Sequence, residues 1–273
     1  MRILVTNDDG VDAVGLHVLA RRLVPLGDVV VGAPDREYSG AGAALGTLHL
    51  IRPEVRRVEV PGVPEAWSVT GPPALCVMFA RLGVFGGPFD LVVSGINPGA
   101  NSGRAIYHSG TVGAALTARN GGVSGLAVSQ AVTDFGVEGQ GWDEMLTDQH
   151  WDTAAEVGAQ VAAAMLAALP EDPVVLNVNV PNRAVDELEG WRRTQVALLP
   201  PRTLASAELT PKLGHDDAYD VRMDWGDPIE LPGDTDSGAV EAGYVAVTAL
   251  SRILDDPAAD LAKVTAALDG LVP

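Results

Sequence analysis

Short apolar runs alternate with segments of helical periodicity, and this alternation most constrains the fold of the 273-residue chain. Residues Arg2–Thr6 and Val29–Pro34 are apolar runs of strand length. Between them, leucines recur at helical spacing: Leu16, Leu19, Leu23 and Leu26. A strand, a helix and a second strand within about 35 residues form a βαβ unit, whose strands are parallel and whose crossover is right-handed. The sequence therefore predicts an α/β fold with a mostly parallel sheet.

The same alternation continues over the first two thirds of the chain. It predicts further strands at Asp90–Gly95, Gly125–Gln130 and Pro173–Pro181, and helices at Pro72–Leu82, Thr111–Gly122 and Trp151–Leu169. The stretches LGTLHLI and VRRVEV, residues 45–51 and 55–60, read as an antiparallel addition to the sheet. We expect these elements to form one layered core.

The composition changes near residue 182, so we divide one structural domain into a catalytic core, residues 1–182, and a C-terminal arm, residues 183–273. Residues 183–240 are rich in Pro, Asp and Gly, and so long an irregular tract is unusual inside a compact domain. We therefore expect an extended arm or hairpin that packs on another subunit. A strand over Gly243–Leu250 and a helix over Pro257–Leu271 complete the arm.

The net charge of −18 argues against nucleic-acid polymers and anionic membranes as partners, because it repels polyanions. A small anionic substrate requires a cation at its site. The N-terminal apolar segment is too short for a signal peptide, and no apolar run is long enough to span a membrane. These features predict a cytoplasmic protein. The only cysteine, Cys76, lies in an apolar run and is expected to be a core residue.

Polar side chains come directly after the first three predicted parallel strands, and ligands bind at this carboxyl edge in open parallel sheets. The loops are Asn7–Gly10, Pro34–Gly40 and Asn97–Gly103. Asp8 and Asp9 are adjacent carboxylates that repel each other unless a cation neutralises them. Carboxylate, amide and hydroxyl oxygens suit Mg²⁺, Mn²⁺ or Ca²⁺. The alternative is an acidic turn in which an aspartate caps a helix.

The segment Tyr107–Val112 precedes a predicted helix and carries two groups that can cap it, Ser109 and Thr111. Free backbone N–H groups at such a terminus also bind phosphate. Helix capping alone is the competing interpretation.

Six ordered motifs resemble those of the SurE family of survival-protein phosphatases, which are also called 5′/3′-nucleotidases. They are TNDDG, APDREYSG, DLVVSGINPGANSG, HSGTVGAA, NVNVP and DTDSGAVEAGYVAVTAL, and they extend from the N-terminal strand to Leu250. The resemblance implies a Rossmann-like three-layer core and a metal-dependent phosphomonoesterase acting on nucleoside 5′- and 3′-monophosphates. It also implies a dimer or tetramer in which the C-terminal hairpin and helix reach a neighbouring subunit.

The resemblance implies one divalent ion per subunit, Mg²⁺ or Mn²⁺, with the ligands Asp8, Asp9, Ser39 and Asn97. In the mechanism we expect, Asp8 and Asp9 are the catalytic residues, and Asp9 also acts as the base that takes a proton from the water. The phosphate is expected to contact Gly40, Asn101, Ser109, Gly110 and Thr111. The metal lowers the pKa of a bound water and neutralises charge on the phosphoryl group.

Four positions depart from the family pattern: Tyr38, Pro72, Leu75 and His108. Because they lie on the substrate side, a phosphorylated secondary metabolite is an alternative small phosphorylated substrate. A second alternative is a binding module with the same fold, whose catalysis has decayed.

Overall fold

A computed structural model describes residues 1–46, 52–132, 146–199, 204–227 and 229–253. The strands within these ranges are β1 Arg2–Thr6, β2 Asp28–Pro34, β3 Val55–Val58, β4 Glu65–Val69, β5 Leu91–Pro98, β6 Ser124–Gln130, β7 Val175–Val180, β8 Trp191–Arg193, β9 Leu204–Pro211, β10 Tyr219–Trp225 and β11 Val245–Leu250. The α-helices there are α1 Val14–Leu23, α2 Pro73–Arg81, α3 Gly110–Asn120, α4 Trp151–Ala167 and α5 Asp236–Glu241.

The central sheet, as far as the chain is described, has nine strands in the order β3-β4-β2-β1-β5-β6-β7-β11-β8. Neighbouring strands from β4 through β7 are parallel. At the two ends, β3 runs antiparallel to β4 and β11 runs antiparallel to β7. The predicted α/β fold with a mostly parallel sheet is confirmed.

Helices cover both faces of the sheet, and β1 shows how the sequence achieves this. Ile3 and Val5 face the layer that contains α1 and α4, whereas Leu4 faces the layer that contains α2 and α3. Both faces of the strand are therefore apolar, as expected for a parallel strand buried between two helical layers. Cys76 on α2 is fully buried in the second layer, so its predicted core position is confirmed.

Apart from the strand expected over residues 45–51, the predicted strands and helices of the first two thirds are present with shifted ends. Two strands were not predicted: β4, whose sequence EAWSV mixes polar and apolar residues, and the three-residue β8. Most of the strand expected over residues 45–51 and the whole helix expected over Pro257–Leu271 lie outside the described residues.

The tract 183–240 is more regular than its composition indicates. Its strand β8 pairs with β11 and extends the central sheet, while β9 and β10 form a separate antiparallel hairpin. The hairpin agrees with the expectation for this tract; the strand that joins the sheet does not. Within the described residues, no helix is both long and apolar enough to cross a membrane.

Candidate active site

Asp8 comes after β1 at the carboxyl edge of the sheet and is almost fully buried. Its Oδ2 accepts a hydrogen bond from the Gly110 backbone N–H at 3.1 Å, and its Oδ1 accepts one from the Thr111 hydroxyl. Burial raises the pKa of the Asp8 carboxyl, and these hydrogen bonds oppose that rise. The first turn of α3 therefore fixes the orientation of Asp8.

Close packing at Gly110 reinforces this arrangement. A Cβ atom at position 110 would lie 2.7 Å from Asp8 Cβ and from Asp8 Oδ2, closer than non-bonded atoms approach. Glycine is thus the residue that lets α3 begin directly against the carboxylate.

Asp9 is a carboxylate whose surroundings oppose its ionisation. Burial raises its pKa to about 8, and the negative charges of Asp8 and Glu37 contribute to the rise. Its Oδ2 and the Oδ1 of Asn7 are buried oxygens without a hydrogen-bond partner. Buried polar oxygens are nearly always satisfied in folded proteins, and a cation at this position would satisfy both atoms.

The loop after β2 passes beside the two aspartates. The Tyr38 backbone N–H donates to the Asp8 carbonyl oxygen at 2.7 Å, which places the neighbouring Ser39 near β1. The Ser39 hydroxyl donates to Glu37 Oε1 at 2.8 Å, and Ser39 and Gly40 are exposed. This loop therefore adds a solvent-accessible hydroxyl beside the carboxylates.

Asn97 lies near the end of β5, the strand next to β1. Its Nδ2 donates to the carbonyl oxygens of Pro98 and Gly99, at 3.2 and 2.7 Å, so Oδ1 is the atom left to bind a ligand. The register of β5 with β6 shifts between Ser94 and Asn97. At Gly95 a Cβ atom would lie 2.2 Å from the Val128 carbonyl oxygen, so the shift requires glycine there.

The turn predicted to bind phosphate, residues 109–111, already makes hydrogen bonds within the protein. Ser109 is the N-cap of α3, since its Oγ accepts from the Val112 N–H at 3.1 Å, and the Ser109 N–H donates to the Ala105 carbonyl. The predicted capping role of Ser109 is therefore observed. Gly110 and Thr111 both donate hydrogen bonds to the Asp8 carboxylate.

Asn101 lies in a buried polar network below the edge of the sheet. Its Nδ2 donates to Ser129 Oγ at 2.9 Å, and its backbone N–H donates to Asn179 Oδ1 at 2.7 Å. Its carbonyl oxygen accepts from Asn177 at 2.8 Å. The Asn101 side chain, which was predicted to contact a phosphate, is thus hydrogen-bonded to Ser129 of β6. Asn177 and Asn179, the two asparagines of the NVNVP motif, hydrogen-bond to the Asn101 backbone.

Sequence reasoning left three residues of this region without a role: Asn7, Glu37 and Asp236. Asn7 was part of the quoted NDDG motif, and Glu37 was part of DREYSG, but nothing in either motif showed an unsatisfied amide oxygen or a carboxylate bound to Ser39. Asp236 was part of the quoted motif DTDSGAVEAGYVAVTAL, but its partners Gly103 and Ala197 are more than 30 residues away along the chain, so its role was not visible there.

The donors fit a hard divalent cation. They are two carboxylates, a hydroxyl and an amide oxygen, and two buried oxygens lack partners. Among the described residues, no group of three or more His, Cys, Asp or Glu side chains is placed to hold a metal, so a nitrogen- or sulfur-rich site is not found there. Oxygen donors with two negative charges match the preferences of Mg²⁺ and Mn²⁺.

Fold and site together define a class: an α/β protein with helices on both faces of a parallel sheet and a pair of adjacent aspartates at its carboxyl edge. The family model described as "Survival protein SurE" matches residues 3–199, and the chain belongs to this family.

Named relatives align over nearly the full length. The chain is 37% identical over 258 residues to the 5′-nucleotidase SurE of Haemophilus influenzae strain PittGG, covering 93% of this chain and 92% of the relative. It is 36% identical over 250 residues to the 5′/3′-nucleotidase SurE of Erwinia tasmaniensis, covering 92% and 90%. The SurE protein from Aquifex aeolicus, a crystal structure, superimposes with a TM-score of 0.76 at 29% identity, covering 98% of this chain and all of that one.

Proposed function

We propose that this chain is a metal-dependent phosphomonoesterase that releases phosphate from nucleoside 5′- or 3′-monophosphates. The observation that carries the proposal is the adjacent pair of buried Asp8 and half-buried Asp9, with one buried Asp9 oxygen unsatisfied and the Asp9 pKa raised to about 8. A site of this kind is costly to the protein unless a cation occupies it. The names of the relatives support the reaction and the substrate class.

The proposed ligands of one divalent ion per subunit, Mg²⁺ or Mn²⁺, are Asp8, Asp9, Ser39 Oγ and Asn97 Oδ1. Bound there, the ion supplies Lewis acidity toward a phosphoryl oxygen and a water molecule. The first turn of α3 orients Asp8 through Gly110 and Thr111.

The chain's own groups perform the remaining steps of the proposal. Asp9 is the proposed proton acceptor, because burial and the neighbouring negative charges of Asp8 and Glu37 raise its pKa. Gly40, exposed beside Ser39 with a φ of 82°, offers a backbone N–H to the phosphate. Contacts of the phosphate with Asn101 and with Ser109–Thr111 remain predictions, and they require those donors to be shared with their present partners.

Substitution of Asp8 tests the function. The amide oxygen of Asn can still accept from the Gly110 N–H, and its NH₂ group can donate to the Thr111 hydroxyl, so Asp8→Asn should fold. Because the charge is removed, metal-dependent turnover of p-nitrophenyl phosphate should fall by about 100-fold or more. Asp12→Asn, an exposed change in the same loop, is the matched control and should keep wild-type turnover. Full activity of the Asp8 variant would contradict the proposal.

Substrate identity is tested by measuring phosphate release from nucleoside monophosphates, sugar phosphates and short polyphosphate, each with Mg²⁺, Mn²⁺ or no metal. Preference for nucleoside monophosphates supports the proposal. Preference for another phosphomonoester favours a specialised phosphatase, and metal binding without phosphate release favours a binding module.

We also propose a homo-oligomer, a dimer or tetramer, assembled through the C-terminal arm. The apolar face of the β9–β10 hairpin is exposed in the single chain: Leu209 is 67% exposed, Val221 57% and Met223 56%. These side chains lie on one face because Val221 pairs with Leu209, and Met223 is two residues beyond Val221. A cytoplasmic location stays a prediction, which cell fractionation tests.

A further inference from the structure

Asp236 is a fully buried carboxylate far along the chain from the two aspartates of the site. It is the first residue of α5, after the N-cap Thr235. Its Oδ2 accepts from the Gly103 N–H at 3.0 Å, and its Oδ1 accepts from the N–H groups of Ala197 and Ser237, both at 2.9 Å. Hydrogen bonds to a buried carboxylate are strong, so these three backbone positions are held firmly together.

The bond from Gly103 to Asp236 connects this carboxylate to the segment before α3. Gly103 begins a short 3-10 helix, Gly103–Tyr107, which leads through His108 to the N-cap of α3. The first turn of α3 in turn holds Asp8. The carboxylate of Asp236 is thus fixed to the start of the segment that orients a proposed metal ligand.

Further contacts join the same two parts of the chain. Ser237 Oγ donates to Ser102 Oγ at 2.7 Å, and Arg104 Nε donates to the Leu198 carbonyl at 2.9 Å. Gly103 has a φ of 54°, and a Cβ atom there would lie 3.2 Å from the Ala197 carbonyl oxygen. The loop therefore packs tightly on residues 197–199, which precede the described start of the hairpin at Leu204.

We propose that Asp236 is a positioning residue: it sets the conformation of the loop 101–109, and through it the binding of the phosphorylated substrate. The effect on substrate binding rests on the proposed function, whereas the anchoring of the loop by Asp236 does not depend on it. Both oxygens of Asp236 act only as acceptors of backbone N–H bonds, so the position requires a carboxylate. An asparagine directs its NH₂ group at one of these N–H donors and releases at least one of the three bonds.

The test compares Asp236→Asn with Asp234→Asn, an exposed change of the same charge in the same turn. Three quantities are measured for each full-length variant: amide hydrogen exchange of residues 101–109, Mn²⁺ affinity by calorimetry, and the KM and kcat for a nucleoside monophosphate. For Asp236→Asn we expect faster exchange in the loop and kcat/KM lower by about tenfold through a higher KM. Mn²⁺ affinity should stay close to wild type, because Asp8 keeps its own hydrogen bonds from Gly110 and Thr111. The Asp234 variant should match the wild type in all three.

A second pair of variants keeps the test decisive if Asp236→Asn does not fold. Gly103→Ala disturbs the same contact from the loop side, and Gly122→Ala carries a similar positive-φ penalty with nothing within 4 Å of the added Cβ. Gly103→Ala should reproduce the faster loop exchange and the higher KM, whereas Gly122→Ala should not.

The proposal is overturned if a folded Asp236→Asn protein exchanges its loop amides at the wild-type rate. It is also overturned if the loss of activity only matches the loss of folded protein. If the wild-type protein hydrolyses no monophosphate, the proposed function fails, and the exchange comparison alone decides whether Asp236 anchors the loop.

Discussion

At the scale of single residues, the site is defined by a carboxylate that the fold leaves incompletely satisfied. Asp8 receives donors from the first turn of α3, whereas one oxygen of its neighbour Asp9 is buried without a partner. Asp9 also lies near the negative charges of Asp8 and Glu37. The metal-free protein therefore bears an electrostatic cost that a cation removes.

This cost predicts an unusual dependence of stability on pH. Folded Asp9 keeps its proton up to about pH 8, whereas an ordinary Asp loses it near pH 3.8. Between these values the folded state binds more protons than the unfolded state, so the free energy of unfolding of the metal-free protein should fall as pH rises. Thermal melts in EDTA measure this dependence, and the same melts in Mn²⁺ measure the stabilisation by the ion. Mn²⁺ should raise Tm more above about pH 8 than near about pH 5, because fewer protons then compete with the ion for the Asp9 carboxylate.

Asp9→Asn is the control for this prediction. It removes the titrating charge, so the metal-free variant should be more stable than the wild type above about pH 8, by at least about 1 kcal/mol. It should also lose the stabilisation by Mn²⁺. A Tm of the metal-free wild type that does not change with pH would contradict the raised pKa of Asp9.

At the scale of elements, the edge of the sheet and the start of α3 act as one unit. The helix begins at Gly110, directly against Asp8, and its N-cap Ser109 uses its own side chain for capping. The position of the helix thus determines the direction of the carboxylate. Strand β5 contributes in the same way, since its irregularity at Gly95 precedes Asn97.

Gly110→Ala separates helix propensity from site geometry. Alanine is the better helix former by about 1 kcal/mol, so local propensity predicts a stabilised protein. The added Cβ would lie 2.7 Å from Asp8, so we expect Asp8 to be displaced and Mn²⁺ affinity, measured by calorimetry, to fall by about tenfold or more. Gly87→Ala, whose Cβ would lie 4.0 Å from its nearest neighbour, an Arg2 side-chain nitrogen, should bind Mn²⁺ as the wild type does. Unchanged affinity in Gly110→Ala would show that α3 does not position Asp8.

Much of the fold could be predicted from the sequence because buried parallel strands are continuous apolar runs, as in β1, β2 and β6. Strand β4 was missed because half-exposed polar residues interrupt its pattern, and β8 was missed because three residues are too few to show one. In the site, the adjacency of Asp8 and Asp9 was visible in one loop. The inward direction of Asn101 was not, because it depends on Ser129, Asn177 and Asn179, which only the folded sheet brings near.

At the scale of the whole molecule, the hairpin is the least covered element described. Its two faces differ: Leu209, Val221 and Met223 lie on one, and Glu208 and Thr210 lie on the other. Exposed apolar patches of this kind mark interaction surfaces in folded proteins.

Polar substitution of the apolar face should dissociate the proposed oligomer. Val221→Thr combined with Met223→Gln keeps the strand but removes apolar contact area, so light scattering after size exclusion should show a smaller particle than for the wild type. Glu208→Gln with Thr210→Ser alters the other face and should leave the mass unchanged. A wild-type protein that is already monomeric would contradict assembly through the arm.

The buried position of Cys76 gives the molecule an internal indicator of global opening. The thiol is inaccessible on α2, and burial raises its pKa, so the reactive thiolate is suppressed in the native state. Iodoacetamide should alkylate the protein only when denaturant exposes the second helical layer, at the midpoint given by circular dichroism. Because the chain has no other cysteine, each molecule that has unfolded gains the mass of one label. The labelled fraction in a mass spectrum therefore measures the unfolded fraction without any engineered probe.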